Sequence, residues 1–86
     1  MVSQNLFAQT GQITGEITYE DAQGLQARVT IQELNKYAVS EDDHFEFKNV
    51  PIGNYTLKVS SLGYETVTEK VSVSANKVTK INIQLS

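Results

Sequence analysis

A period of two runs through this chain and limits what it can fold into. Ile13, Gly15, Ile17 and Tyr19 alternate with Gln12, Thr14, Glu16 and Thr18, and Ala27, Val29 and Ile31 alternate with Arg28, Thr30 and Gln32. The spacing returns in Phe45 and Phe47, in Tyr55, Leu57 and Val59, in Val71 and Val73, and in Ile81, Ile83 and Leu85. Successive side chains of a strand point to opposite faces, so each run buries one side and wets the other. One-sided strands belong to antiparallel sheets, since parallel sheets are usually covered on both faces. The pattern predicts six strands and a seventh, shorter one over residues 36–40.

The breaks fall where turns are needed. Asp21-Ala22-Gln23-Gly24 closes the first strand, and Ser40 to Asp43 forms a polar, acidic turn before Phe45. Pro51-Ile52-Gly53-Asn54 holds the only proline and leads into the Tyr55 strand. Leu62-Gly63 and Ala75-Asn76 separate the remaining strands. The best helical candidate, residues 65–73, is crowded with Thr66, Val67, Thr68, Val71 and Val73, β-branched residues that lose rotamer freedom in a helix. It reads as strand with a bulge or bend near Glu69. Short strands separated by turns at this spacing predict an all-β sandwich or small barrel.

A chain of 86 residues makes one domain, and without cysteine it has neither a disulfide nor a thiolate metal site. Packing alone must hold it. The seven cations (Arg28, Lys36, Lys48, Lys58, Lys70, Lys77 and Lys80) stand singly along the sequence, giving no run that would neutralise phosphates. Nucleic-acid binding is therefore not expected, and no apolar stretch reaches the roughly 20 residues of a membrane-spanning helix. Residues 1–10 read as a flexible segment before a domain over residues 11–86, and Leu6-Phe7-Ala8 before Gln9 resembles the tail of a secretory cleavage site.

Three stretches together resemble the carboxypeptidase-regulatory-like domains. They are Gly11-Gln12-Ile13-Thr14-Gly15-Glu16-Ile17, the acidic-aromatic run from Glu41 through Phe45, Phe47, Pro51 and Gly53 to Tyr55-Thr56-Leu57, and Ser61-Leu62-Gly63-Tyr64-Glu65. The resemblance covers residues 11–85 and implies a transthyretin-like, seven-stranded antiparallel Greek-key β-sandwich without catalytic activity. Three departures stand out. Gly24-Leu25-Gln26-Ala27 replaces a Pro-Leu-x-Gly-Ala run, Asp43 replaces a glycine, and Lys36-Tyr37 replaces a Gly-Thr pair. Asp43 tolerates the left-handed region well enough for the turn to survive, whereas the geometry of residues 35–40 is left open.

Such domains stand beside carboxypeptidases, in surface proteins, and at the N-terminus of TonB-dependent outer-membrane receptors. With the cleavage-like start, the resemblance implies the last: an accessory domain in the periplasm, attached to a receptor importing a siderophore, a glycan or a similar nutrient. Its partners would be the rest of the receptor and periplasmic proteins such as TonB. The alternatives are a carbohydrate-binding or spacer module of a secreted or surface protein, or of a carboxypeptidase. The domain itself is expected to be monomeric and not embedded in the membrane.

Folding accounts for most of the distinctive residues. Pro51 fixes φ, Gly53 lets the chain reverse into the Tyr55 strand, and Gly63 takes a conformation closed to residues with a Cβ. Tyr64 presents an apolar body with a hydroxyl that ties down a nearby backbone group. Glu41, Asp42, Asp43 and His44 are a solvated turn rather than a metal site, because neighbouring strand residues point apart and calcium loops space their ligands differently. No cofactor is implied. The serines, Ser40 among them, read as strand surface or turn, and one histidine is too few for a triad. Lys58 and Lys80 alternate onto the wet face, away from any buried cross-link. Of Tyr19, Tyr37 and Tyr64, the tyrosines available to a sugar, the last two read as packing residues. The short strand bearing Lys36, Tyr37 and Val39 is the expected interaction edge, since sheet edges capture extended peptides.

Overall fold

A computed structural model describes residues 9–21 and 26–86. The strands are β1 (Thr10–Tyr19), β2 (Ala27–Ile31), β3 (Lys36–Val39), β4 (His44–Pro51), β5 (Gly53–Ser61), β6 (Val67–Val73) and β7 (Val78–Leu85), with one 3₁₀ turn (Gln32–Leu34) between β2 and β3. They form two sheets, one ordered β4-β1-β7 and the other β3-β2-β5-β6. The predicted seven-stranded sandwich is what forms. The N-terminal stretch with Leu6-Phe7-Ala8, and Ala22 to Gly24 of the first turn, lie outside the described residues. β1 opens at Thr10, opposite Pro51, one residue ahead of Gly11.

The alternating apolar residues meet in one core. Ile13, Ile17, Val29, Ile31, Leu57, Val59, Ile83 and Leu85 are almost wholly buried, with Phe45, Phe47, Tyr55, Val71 and Val73 around them. Burying one such aliphatic side chain is worth about 1.5–3 kcal/mol, so this set supplies the main drive to fold.

Two expectations need correction. The sandwich is not antiparallel throughout: β1 and β7 pair in parallel, from Gln12↔Val78 to Tyr19↔Leu85. The alternation rule misses this pair because a parallel strand with one face open to water alternates just as an antiparallel one does. No bulge occurs near Glu69. β5 and β6 pair without interruption from Gly53↔Val73 to Val59↔Val67. Glu69 keeps the inward parity opposite Leu57 but stays exposed, because β6 is an edge strand, where an inward-pointing charge is tolerated and discourages pairing with other chains. The register instead slips between Gly11 and Ile13, where β1 meets β4. The reversal expected at Gly53 occurs, and it joins the two sheets. Ile52 and Gly53 carry the chain from β4, in one sheet, to β5, in the other, with Gly53 at φ 151°.

The segment left open by the sequence, residues 35–40, is built by two local devices. Asn35 takes a left-handed conformation at φ 54°, ending the 3₁₀ turn and starting β3. Ser40, expected at the surface, is 2% exposed. Its Oγ accepts the Ala27 N–H at 2.9 Å, and its own N–H donates to the Ala27 carbonyl at 2.9 Å. One residue thus satisfies both backbone groups at the start of β2.

Candidate functional site

Lys36, Tyr37 and Val39 lie on β3, which bonds to β2 alone and forms one edge of the four-stranded sheet. The residue pairs Arg28↔Val39 and Thr30↔Tyr37 put Tyr37 and Val39 on the outer face, beside Arg28. Tyr37 is not a packing residue: 59% of it is exposed. The Arg28 Cζ sits 4.2 Å from the centre of its ring, a cation–π contact that holds the guanidinium in place. Arg28 and Tyr37 are distant in sequence, so only the strand register reveals the pair.

The motif residues cluster at the two ends of the sandwich. At one end the Tyr55 hydroxyl donates to the Pro51 carbonyl at 2.7 Å, clamping the crossing between sheets that Gly53 makes possible. At the other end Gly63 stands at φ 90° and Tyr64 follows it. The Tyr64 hydroxyl donates to the side chain of Asp21, not to the backbone group expected. That bond to a carboxylate holds the phenol neutral and pushes its pKa up to about 12. The Tyr64 ring tilts against Tyr19, with centroids 5.0 Å apart.

The acidic turn is a two-residue reversal in which Glu41 and His44 exchange backbone hydrogen bonds at 2.8 and 2.9 Å. Asp42 and Asp43 both have positive φ, 51° and 64°, the backbone of a type I′ turn. Its carboxylates are not gathered on His44. The imidazole Nδ1 lies 2.7 Å from the Asp42 carbonyl, and Nε2 lies 3.0 Å from Glu16 Oε2. Both neighbours are acceptors, and only the protonated ring can donate to both. The Asp42 carbonyl first, and Glu16 after it, accordingly raise the His44 pKa above its ordinary value.

Glu33, on the 3₁₀ turn, was not singled out by the sequence. Its carboxylate accepts the Thr56 N–H at 2.8 Å and the Thr56 hydroxyl at 2.9 Å, continuing the β5 hydrogen bonding past the point where β2 ends. These bonds lower its pKa. Glu46 accepts from the Gln12 amide at 3.0 Å and lies 3.8 Å from Lys48, both exposed. Among the described residues no group of three or more His, Asp or Glu converges as a metal site would require.

The fold is a two-sheet β-sandwich whose motif residues form turns and clamps. The chain belongs to the CarboxypepD_reg-like domain family, whose model matches residues 10–86. No curated protein matches the sequence. Similar folds occur in solved structures. One is an N-terminal interface mutant of a type II cohesin–X-dockerin complex from Acetivibrio cellulolyticus, at 26% identity and TM-score 0.73 over 87% of this chain. A C-terminal interface mutant of the same complex matches at 21% identity and TM-score 0.66, over 87% of this chain. The Bacillus anthracis TIE protein matches at 19% identity and TM-score 0.70, over 90% of this chain. This chain spans 56%, 56% and 16% of those three, respectively.

Proposed function

We propose that this sandwich is an in-line accessory domain that binds other proteins, and that its setting is a TonB-dependent outer-membrane receptor, where it stands in the periplasm. The observation behind the in-line role is the parallel pairing of β1 and β7. Because the two strands run side by side in one direction, polypeptide preceding β1 arrives at one end of the sandwich. Polypeptide continuing from β7 departs at the other. Eight paired positions at about 3.3 Å each separate the two points by roughly 25 Å, so the domain extends a chain without folding it back.

Two observations support the interaction role: β3 is an edge strand with Tyr37 and Val39 exposed, and the 26%-identical relative is part of a complex between proteins. The receptor setting rests on the resemblance of the family motifs, and with it the import of a siderophore or glycan. The same in-line geometry favours a second setting, a spacer in a secreted or surface protein. A sugar-binding role is less favoured, because the Arg28 guanidinium covers one face of the Tyr37 ring. Sequencing the gene on both sides of this segment separates the settings. A plug and a large alternating-strand barrel downstream are expected; a zinc peptidase or an array of sandwiches in their place would overturn the receptor reading.

A further inference from the structure

The seven cations stand singly in the sequence, yet the fold aligns three of them. Arg28 lies opposite Ser60, Lys58 opposite Thr68, and Lys70 opposite Thr56. Each step moves one strand across the sheet and two residues along, so Arg28, Lys58 and Lys70 form a diagonal line over β2, β5 and β6 on the outer face. Diagonal neighbours of this kind are roughly 7–8 Å apart. The other outward positions of these three strands hold only Ser, Thr or Asn. No carboxylate stands among those outward positions in a chain of net charge −3; Glu33, at the rim, is held by Thr56 opposite Lys70 and feels the Lys70 charge. The opposite sheet differs: its outer face mixes Glu16, Glu46, His44 and Lys48, paired with one another. Among the described residues none of the three aligned cations makes an ion pair within 4.0 Å, and Lys70 meets the Glu33 carboxylate only at longer range.

We infer that the outer face of the β3-β2-β5-β6 sheet docks an extended acidic segment of a partner polypeptide. This deepens the interaction role proposed above and rests on it for the partner being a protein. Charge complementarity selects the occupant. Alternate residues of an extended chain are roughly 6.7 Å apart, close to the spacing of the cations, so carboxylates at every second position meet successive members of the line. The Tyr37 ring holds the Arg28 guanidinium from one side and leaves its N–H edge open for a carboxylate. That same contact covers a ring face on which a sugar would stack, which favours an acidic peptide over an acidic glycan.

The test is a titration of the isotope-labelled chain with deca-glutamate, followed by amide chemical shifts. The shifts are expected to concentrate at Arg28, Thr30, Tyr37, Lys58 and Lys70, and affinity to fall at least about tenfold in roughly 0.5 M salt. Arg28→Glu with Lys58→Glu removes binding, while Lys48→Glu with Lys80→Glu, on the other sheet, leaves it unchanged. Retained amide dispersion in each variant shows that the exposed substitutions left the fold intact. Absent shifts, shifts on the β4-β1-β7 face, equal loss from the second variant pair, or tighter binding of oligogalacturonate or of phosphatidylglycerol vesicles would each overturn the inference. The gene's flanking sequence tests the in-line setting separately, so either reading can fail alone.

Discussion

Phe45 lies directly over Gly15, its register partner across β1 and β4, and a Cβ at Gly15 would come within 2.3 Å of the ring carbons Cε2 and Cζ. The pleat of β1 points position 15 into the core between Ile13 and Ile17. A glycine there loses packing and backbone entropy. The aromatic ring of the neighbouring strand covers the gap, which is how sheets compensate interior glycines.

Gly15→Ala is therefore expected to destabilise the domain by about 1–3 kcal/mol through overpacking, and Phe45→Ala by about 3–5 kcal/mol through the cavity it leaves. Because the two residues touch, Gly15→Ala combined with Phe45→Leu is expected to cost less than the sum of Gly15→Ala and Phe45→Leu made singly. Urea unfolding curves of the four variants check this; strict additivity would show that the ring and the glycine are not coupled.

Ser40 predicts a cost unusual for a serine expected at the surface. In Ser40→Ala the buried Ala27 N–H loses its acceptor, and an unsatisfied buried donor costs about 1–3 kcal/mol. The Ala27 amide is expected to lose hydrogen-exchange protection in the variant beyond what the global destabilisation explains.

His44 makes stability depend on pH in a definite direction. Its pKa is raised in the folded state, so its contribution is fully present below the ordinary value near 6.5 and is lost as pH rises through the folded value. Imidazole resonances should titrate above those of a model peptide. His44→Gln should remove that titration and flatten the thermal stability profile just above pH 6.5. An unchanged profile would show that the ring's two contacts contribute nothing in solution.

Tyr64 is expected to ionise well above the ordinary range of a phenol. With its pKa pushed up to about 12 by the Asp21 carboxylate, its contribution is complete below the ordinary value of 10.0 and is lost as pH rises through about 12. Spectrophotometric titration should show the Tyr64 phenol ionising late, and Asp21→Asn should bring it down.

The acidic turn shows how local and tertiary information divide. Aspartate at 43 in a site where glycine is usual still reads as a turn, and the backbone adopts positive φ at both Asp42 and Asp43, since each tolerates that region. Where His44 points was not legible, because Glu16 is brought to it by the β1–β4 pairing and not by proximity in sequence.

The sequence by itself determined the strands, their buried faces and most of the turns, because side-chain alternation and the φ preferences of Gly, Pro, Asn and Asp act within a few residues. Tertiary structure decided which strands became neighbours. Strand order and register arise from contacts far apart along the chain, and those contacts set the parallel course of β1 beside β7, the cover of Phe45 over Gly15 and the burial of Ser40. They also gather Arg28, Lys58 and Lys70, single and distant in the sequence, into one line, because a cation's place on a sheet face depends on its partner strands as much as on its own alternation.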